Sequence, residues 1–222
     1  MRGPPQVFET PIALRCACGE MRAEVAVRRP SDANRNVCCC AGCQRYARAL
    51  GRADEILDEH GGTDVFQVSP RSLVFTAGRA NLACMQQTPK GALRWYAGCC
   101  NTPLAITLQS PRVPFIGINH RCVVAEDRAG FLTTRVGAIR ATVNGKFDPS
   151  LAKTLKARPI DLLRMLRHIG WLMLVWAVRG DQRHSPFFDA ATHKPVLEPP
   201  ERVAFARAAA ERQSSRLALG CG

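Results

Sequence analysis

Seven of the eleven cysteines in this chain form three short groups whose spacing is typical of metal ligands. The groups are Cys16 and Cys18, then Cys38, Cys40 and Cys43, and finally the adjacent pair Cys99 and Cys100. Tight turns with such spacing bring thiolates to one point, and zinc binds thiolates readily in tetrahedral geometry. Four protein ligands make a closed structural site, whereas three leave a position for water or substrate, as in catalytic zinc sites. The spacing matches no ferredoxin pattern, so we favour zinc over an iron–sulfur cluster.

The composition favours metal binding over a disulfide framework. The chain has 222 residues, 46% of them apolar, which is enough for one sizeable core with an appended segment. Its first residues lack an apolar run of signal-peptide length, and the apolar run at 169–178 is shorter than the roughly 20 residues that span a bilayer. We therefore expect a cytoplasmic protein, and in that reducing compartment clustered cysteines more often bind metal or do redox chemistry.

Short apolar segments separated by turns predict that the cysteines are positioned by a mostly antiparallel β domain. Segments 12–16 and 21–27 predict two strands around a tight turn that carries Cys18 and Gly19. Six further strand candidates are 64–68, 72–77, 81–86, 92–97, 103–108 and 114–119. Residues 41–50 predict a short helix that leaves the second cysteine group.

Two other segments and two single cysteines complete this outline. Residues 53–60 predict a helical turn, and residues 135–143 fit either a further strand or a short helix. Cys84 and Cys122 stand alone in strand-like apolar stretches, where we expect them to be small buried side chains.

The pattern changes near residue 148, and segment 160–178 has the spacing of a helix that is apolar nearly all round in its second half. Such a helix is normally buried, so we expect it to pack on the β domain or on a second subunit of a homo-oligomer. The alternative is a helix on an anionic membrane surface, which the neighbouring cations favour. Those cations are Lys153, Lys156, Arg158, Arg164 and Arg167.

The rest of the chain predicts a helical extension. Residues 185–198 resemble a loop, residues 200–217 predict a final Ala-rich helix, and Cys221 lies in the tail as a free thiol. We therefore divide the chain into a zinc-binding β domain, 1–148, and a helical extension, 149–222.

The charge is strongly basic and unevenly distributed. The formal net charge is +13, and residues 61–180 carry 16 Lys and Arg against 5 Asp and Glu. A basic field favours anionic partners such as nucleic acid, anionic lipid or acidic small molecules. No nucleic-acid motif accompanies the charge, so we do not favour nucleic acid as the partner.

Three sequence blocks resemble one known family. CACGE at 16–20, CCCAGCQR at 38–45 and RWYAGCCNTPL at 94–104 are similar to the glutathione-dependent formaldehyde-activating enzymes, a family that includes centromere protein V. The resemblance covers roughly residues 10 to 120. It implies a mainly β, tent-like (Mss4-like) fold of small antiparallel sheets around zinc, with one or two Zn²⁺ per chain.

The resemblance also assigns the cysteines to two sites. It places Cys16 and Cys18 in a structural zinc site, together with cysteines from the third block. It places Cys38, Cys40 and Cys43 in a three-thiolate zinc site where substrate is bound. Cys39 occupies the variable position between two ligands, and its side chain should point away from the metal because alternate residues of an extended segment face opposite sides.

The third block departs from the family pattern of C-x-x-C-G-[ST]-P-L. Aligning Thr102-Pro103-Leu104 with [ST]-P-L puts Cys100 on the second cysteine, Ala97 on the first and Asn101 on the glycine. Three arrangements therefore remain open. Cys99 replaces the missing ligand to give a closed four-cysteine site, or Cys100 alone joins the first pair, or the site holds no metal and is held by packing or a disulfide.

The resemblance implies a carbon–sulfur lyase that acts on thiol–aldehyde adducts such as S-hydroxymethylglutathione, with glutathione or another small thiol as partner. Its catalytic residues would be Cys38, Cys40 and Cys43. Arg45 and Arg94 are candidate contacts for substrate carboxylates, and His120 is a candidate general acid or base.

Two other functional classes remain as alternatives. The first is a non-catalytic zinc-stabilised module whose basic surface binds nucleic acid, a filament or an acidic partner. The second is a thiol redox or metal-handling protein that uses Cys39 and Cys99 as reactive thiols.

Overall fold

The computed structural model describes residues 7–143 and 159–197, and these residues form two β-sheets and four α-helices. The strands are β1 (Ile12–Arg15), β2 (Arg22–Val25), β3 (Asn34–Cys38), β4 (Thr63–Val68), β5 (Leu73–Ala77), β6 (Leu82–Gln86), β7 (Leu93–Ala97), β8 (Thr102–Thr107), β9 (Ile116–Asn119) and β10 (Thr142–Val143). The helices are α1 (Ala41–Ala49), α2 (Ala53–Ile56), α3 (Arg128–Val136) and α4 (Pro159–Val178). Single 3₁₀ turns lie at Pro30–Asp32, Pro70–Ser72, Arg79–Asn81, His120–Cys122 and Asp181–His184. The expectation of a mainly β protein with a C-terminal helix is confirmed.

The smaller sheet has three strands in the order β1-β2-β5, all antiparallel. Buried and exposed residues alternate along β1 and β2, so that Ile12, Leu14, Ala23 and Val25 face the core. This is the pattern of a sheet with one solvated face, and it is the reason that the two strands could be predicted.

The larger sheet has seven strands in the order β10-β3-β4-β9-β8-β7-β6. Its pairs are antiparallel except for the short β10, which runs parallel to β3. The six strand candidates in the region 64–119 are confirmed within one or two residues at each end.

Two elements were missing from the sequence prediction. Strand β3 reads NRNVC and lacks alternating apolar residues, yet four of its five residues are buried. Helix α3 extends into segment 135–143, whose first two residues end that helix and whose last two form β10. Asp127 begins α3 because its side chain accepts a hydrogen bond from the backbone N–H of Gly130.

The core lies between the two sheets and includes a segment from beyond α4. Trp95 of β7 and Phe187 are both fully buried, and their rings stack with centroids 4.7 Å apart. Phe75 of β5 meets Phe187 edge-on at 6.0 Å. Cys84 and Cys122 are 4% and 1% exposed, so the expectation that both are buried is confirmed.

Helix α4 packs on the β-sheets through one narrow face. Met165, Leu172 and Trp176 are buried, and the His168 ring hydrogen-bonds the Ala33 carbonyl at 3.0 Å. The opposite face is apolar and exposed, with Leu163, Leu166, Trp171, Leu174 and Val178 each more than half accessible. A second subunit or an anionic membrane surface at this face therefore stays a prediction.

No helix within 7–143 and 159–197 is long and apolar enough to cross a membrane. The predicted helix at 200–217, Cys221 and the cations Lys153, Lys156 and Arg158 lie outside the described residues.

Replacing Phe187 with Ala should lower the free energy of unfolding by about 3–5 kcal/mol, because it removes a buried ring from the stack on Trp95. Urea denaturation followed by tryptophan fluorescence measures the loss. The matched control is Trp171→Ala, whose ring is 63% exposed and whose loss should change stability by no more than about 0.5 kcal/mol. Equal losses in the two variants would contradict this description of the core.

Candidate metal centres

The first group of thiols lies where one hairpin from each sheet meets the other. The β1–β2 turn carries Cys16 and Cys18, and the β7–β8 turn carries Cys99 and Cys100. The backbone N–H of Ala17 donates to Thr102 Oγ1 at 2.9 Å, which fixes one turn against the other. We call Cys16, Cys18, Cys99 and Cys100 the four-cysteine cluster.

The sulfur separations in this cluster fit a tetrahedral metal. Cys16 Sγ lies 3.4 Å from Cys18 Sγ and 3.9 Å from Cys99 Sγ, and the Cys18–Cys99 and Cys99–Cys100 distances are 3.3 and 3.9 Å. All four sulfurs lie within 4.8 Å of one another. Four thiolates at a Zn–S distance of about 2.3 Å have sulfur–sulfur edges of about 3.8 Å.

The geometry is compatible with the first of the three arrangements left open by the sequence, a site with four cysteine ligands. The shortest of these sulfur separations, 3.3 Å, is far longer than a disulfide bond of about 2.05 Å. Ala97 is still part of β7, and Cys99 in the turn that follows is the residue whose sulfur joins the cluster. The cluster can hold a metal ion with all four thiols as ligands.

The two turns have backbone conformations that suit this arrangement. Gly19 has φ +84°, and Asn101, which stands where the related pattern has glycine, has φ 55°. Asn enters the left-handed region more readily than most residues, so the turn keeps its shape without glycine. The backbone N–H of Met21 donates to Cys16 Sγ at 3.2 Å, which fixes this sulfur in the turn.

The environment of Cys100 lowers the pKa of its thiol. Burial acts to raise the pKa of this thiol, but hydrogen bonds from Thr102 and from the backbone of Cys18 lower the pKa to about 6. Thr102 Oγ1 lies 3.1 Å from Cys100 Sγ. Cys16 is buried, whereas Cys18 and Cys99 are exposed at the rim.

The second group lies at the junction of β3 and α1. Cys38 ends β3, Cys40 is the N-cap residue of α1, and Cys43 lies in the first turn of that helix. The backbone N–H of Cys43 donates to Cys40 Sγ at 3.3 Å, so the cap is a sulfur rather than an oxygen. The three sulfurs lie within 4.8 Å of one another, and we call these residues the three-cysteine cluster.

Hydrogen bonds among the three thiols shift their pKa values in opposite directions. Hydrogen bonds from Cys38 and Cys43, the backbone N–H of Cys43 and the charge of Arg94 lower the pKa of Cys40 to about 2 despite its burial. The same hydrogen bonding raises the pKa of Cys38, through its bond to Cys40, and that of Cys43, through its bonds to Cys38 and Cys40. A divalent cation can replace the shared protons and hold three thiolates together.

Arg94 faces this cluster from strand β7. Its Nη1 donates to Cys43 Sγ at 3.7 Å, and its guanidinium lies over the Tyr46 ring at 5.3 Å. Arg94 is only 7% exposed, and the described part of the chain places no carboxylate within ion-pair distance of it. The thiols are therefore the negative groups against which this buried charge is placed.

Gly42 leaves the space that Arg94 occupies. A Cβ atom at position 42 would lie 2.8 Å from Arg94 Nη2, closer than such contacts allow. Sequence reasoning did not single out Gly42 or Tyr46. The cysteine spacing could not identify them, because both residues contact Arg94 of β7, which lies about 50 residues away in the sequence.

The other predicted site residues are placed differently. Arg45 is exposed on the outer face of α1, away from its buried face of Cys43, Tyr46 and Ala47. His120 is half-buried and its Nδ1 hydrogen-bonds the Asp64 carbonyl at 3.1 Å, while burial lowers its pKa. Cys39 lies outside the three-cysteine cluster and is fully buried, so solvent reagents do not reach its thiol.

The fold and the two clusters define a mainly β protein with two thiol-rich centres, each able to hold a metal ion. A family described as a family of unknown function, DUF6151, matches residues 9–199, and the chain belongs to that family. The crystal structure of a Rhodobacter sphaeroides protein is similar with a TM-score of 0.37 and 19% sequence identity, over 52% of this chain and 89% of that chain. No curated protein matches the chain.

Native mass spectrometry of protein grown with zinc should find two metal ions per chain. Cys99→Ser and Cys40→Ser should each remove one ion, because each variant removes one ligand from a different cluster. Cys99→Ser should also lower Tm more than Cys40→Ser does, since the four-cysteine cluster joins hairpins of two sheets.

Cys39→Ala is the control for the metal count, because Cys39 belongs to neither cluster and should leave two ions in place. Two ions retained by Cys99→Ser would contradict the assignment of four thiol ligands to the first site.

Proposed function

We propose that this protein is a zinc-dependent carbon–sulfur lyase that acts on thiol–aldehyde adducts such as S-hydroxymethylglutathione. The observation that carries the proposal is the three-cysteine cluster itself, in which three thiols converge beside a buried arginine. Three thiols leave one tetrahedral position for a further ligand, whereas the four-cysteine cluster fills all positions. We therefore assign catalysis to Cys38, Cys40 and Cys43 and a structural role to the other cluster.

The donor set supports zinc as the metal at both centres. All the ligand atoms are cysteine sulfurs, which zinc accepts in tetrahedral geometry. Zinc bound at the three-cysteine cluster would hold a substrate thiol as its thiolate at neutral pH. The half-buried position of Cys38 and Cys40 gives a small thiol access to this side of the cluster.

The reaction needs no oxidant or reductant. In the forward direction the substrate thiolate attacks the carbonyl carbon of formaldehyde and forms the carbon–sulfur bond. The carbonyl π pair moves to oxygen, which takes a proton from water and becomes the hydroxyl of the S-hydroxymethyl adduct. In the reverse direction the hydroxyl loses its proton, the carbonyl re-forms and the carbon–sulfur bond breaks.

Arg94 supports the proposal through charge. Three thiolates and a divalent cation carry one net negative charge, and a substrate thiolate adds a second. The Arg94 guanidinium lies at Cys43 in a buried position, where Coulomb interactions are only weakly screened. It therefore lowers the free energy of bringing a further anion to the cluster.

The positions of the cysteines support the resemblance on which the lyase assignment rests. The residues that resemble the formaldehyde-activating enzymes come together as two separate groups of thiols, as that resemblance implies. The basic net charge suits a partner with carboxylates, such as glutathione.

Wild-type protein should accelerate the exchange between formaldehyde and S-hydroxymethylglutathione, measured by NMR exchange spectroscopy. Cys40→Ser should reduce the exchange rate to that of the protein-free solution, because the cluster loses the thiol that both other cysteines contact. Cys39→Ala should exchange at the wild-type rate. If Cys40→Ser and wild type exchange equally fast, the lyase assignment is wrong.

Arg94→Met should raise the KM for glutathione about tenfold with a smaller change in kcat, since it removes a charged hydrogen-bond donor that favours the bound thiolate. Initial rates over a range of glutathione concentrations separate the two constants. Arg45→Met is the matched control, because Arg45 is exposed on α1 and should leave both constants unchanged. An equal rise in KM for the two variants would assign the effect to overall charge instead.

A further inference from the structure

A row of polar side chains lies on the same face of the large sheet as Cys38. Cys38 of β3 pairs directly with Thr63 of β4, and Asn36 pairs with Val65, which pairs in turn with Asn119 of β9. Directly opposite residues of antiparallel strands project to the same face, as do residues two apart on one strand. Asn36, Thr63 and Asn119 therefore share a face with Cys38.

These side chains are buried without protein partners for key atoms. Asn36 is 3% exposed, and Thr63 and Asn119 are each 2% exposed. Asn36 Oδ1, Thr63 Oγ1 and Asn119 Nδ2 find no hydrogen-bond partner among the described residues. An apolar residue could occupy such a position at no cost in hydrogen bonds, as Val65 does between Asn36 and Asn119.

Hydrogen bonds to the other atoms of these amides show which atoms remain available. Asn34 lies further along the same face, and although its Oδ1 is also unpartnered, its Nδ2 donates to Gln67 Oε1 at 2.6 Å. Asn119 Oδ1 accepts from the backbone N–H of Arg121 at 3.0 Å, which leaves Nδ2 as the atom available to a ligand. A buried polar atom without a hydrogen-bond partner in the protein needs another explanation, such as a bound ligand or an ordered water.

The three atoms define the chemistry of that partner. Asn36 Oδ1 accepts a hydrogen bond, Asn119 Nδ2 donates one, and the Thr63 hydroxyl can do either. An amide group presents both a donor N–H and an acceptor carbonyl. Thr63 is the direct cross-strand neighbour of Cys38, with a Cβ separation of about 4.5–5.5 Å for such a pair, and Asn36 is two residues along the same strand.

We propose that Asn36, Thr63 and Asn119 form an amide-binding subsite beside the three-cysteine cluster, and that it selects small thiols with an amide two carbons from the sulfur. This inference rests on the proposed function, because the sulfur of the same molecule would bind at the cluster. The amide N–H donates to Asn36 Oδ1, and its carbonyl accepts from Asn119 Nδ2 and the Thr63 hydroxyl.

The test uses cobalt-substituted protein, because charge-transfer absorption reports a new thiolate at the metal. The probes are N-acetylcysteamine, which has the amide, and 1-butanethiol, which lacks it. Wild type should bind N-acetylcysteamine with a Kd about tenfold lower than that for 1-butanethiol, as expected for one or two net hydrogen bonds. Thr63→Val and Asn119→Leu should each remove most of that preference and leave the Kd for 1-butanethiol unchanged.

Thermal unfolding without ligand supplies an independent measurement. Thr63→Val should raise Tm by about 2–4 °C, because a methyl group replaces a buried hydroxyl that lacks a partner. Thr107→Val is the matched control, since Thr107 is equally buried but accepts a hydrogen bond from Trp95 Nε1 at 2.9 Å, and its loss should lower Tm. A fall in Tm for Thr63→Val as large as that for Thr107→Val would show that the hydroxyl bonds ordered water as part of the fold, and would overturn the subsite.

The outcomes separate this inference from the proposed function. Equal affinity for the two thiols in wild type and Thr63→Val overturns the amide subsite and leaves the thiol-binding centre standing. If neither thiol changes the cobalt spectrum, the proposed function fails and the subsite fails with it.

Discussion

The junction between the β1–β2 and β7–β8 turns is the contact on which the rest of the molecule depends. It joins a hairpin of the three-stranded sheet to a hairpin of the seven-stranded sheet through four thiols and the hydrogen bond from Ala17 to Thr102. Strand β7 leads directly into this junction. The strand and the turn after it contact three different parts of the molecule. Trp95 packs in the core against Phe187, Arg94 reaches the three-cysteine cluster, and the turn after Ala97 supplies Cys99 and Cys100. One short strand therefore connects the junction, the core and the three-cysteine cluster.

Both clusters consist of cysteines, but the structural elements and charges around them differ. The four-cysteine cluster lies between turns and has enough sulfurs to complete a tetrahedron. The three-cysteine cluster lies at the N-terminus of α1, where the backbone N–H of Cys43 and the Arg94 charge favour negative sulfur. Gly42 permits that approach of Arg94, so the electrostatics of the cluster depend on the absence of one methyl group.

Much of the fold and of both clusters could be predicted from the sequence, and the failures share a cause. Short apolar segments around a turn predicted β1 and β2, and cysteine spacing predicted the members of each cluster, since both signals are local. Strand β3 was missed because three of its four buried side chains are Asn or Arg, and partners on distant strands decide whether such residues can be buried. For example, Arg35 pairs with Asp64 of β4 at 2.6 Å. Arg45 and Arg94 look alike in sequence, and only the pairing of distant strands shows that Arg94 alone faces the thiols.

The exposed sulfurs of the four-cysteine cluster determine how a chelator would reach a metal ion bound there. Chelators remove zinc by stepwise ligand displacement, and that process begins at accessible sulfurs. Cys18 and Cys99 are exposed, whereas Cys38 and Cys40 are half-buried and Cys43 is buried. If a metal ion is bound there, the cross-link between the sheets is thus the centre whose cysteine sulfurs are most exposed to a chelator. Loss of a metal ion from that cluster would weaken the contact between the two hairpins, so that the scaffold itself would be affected.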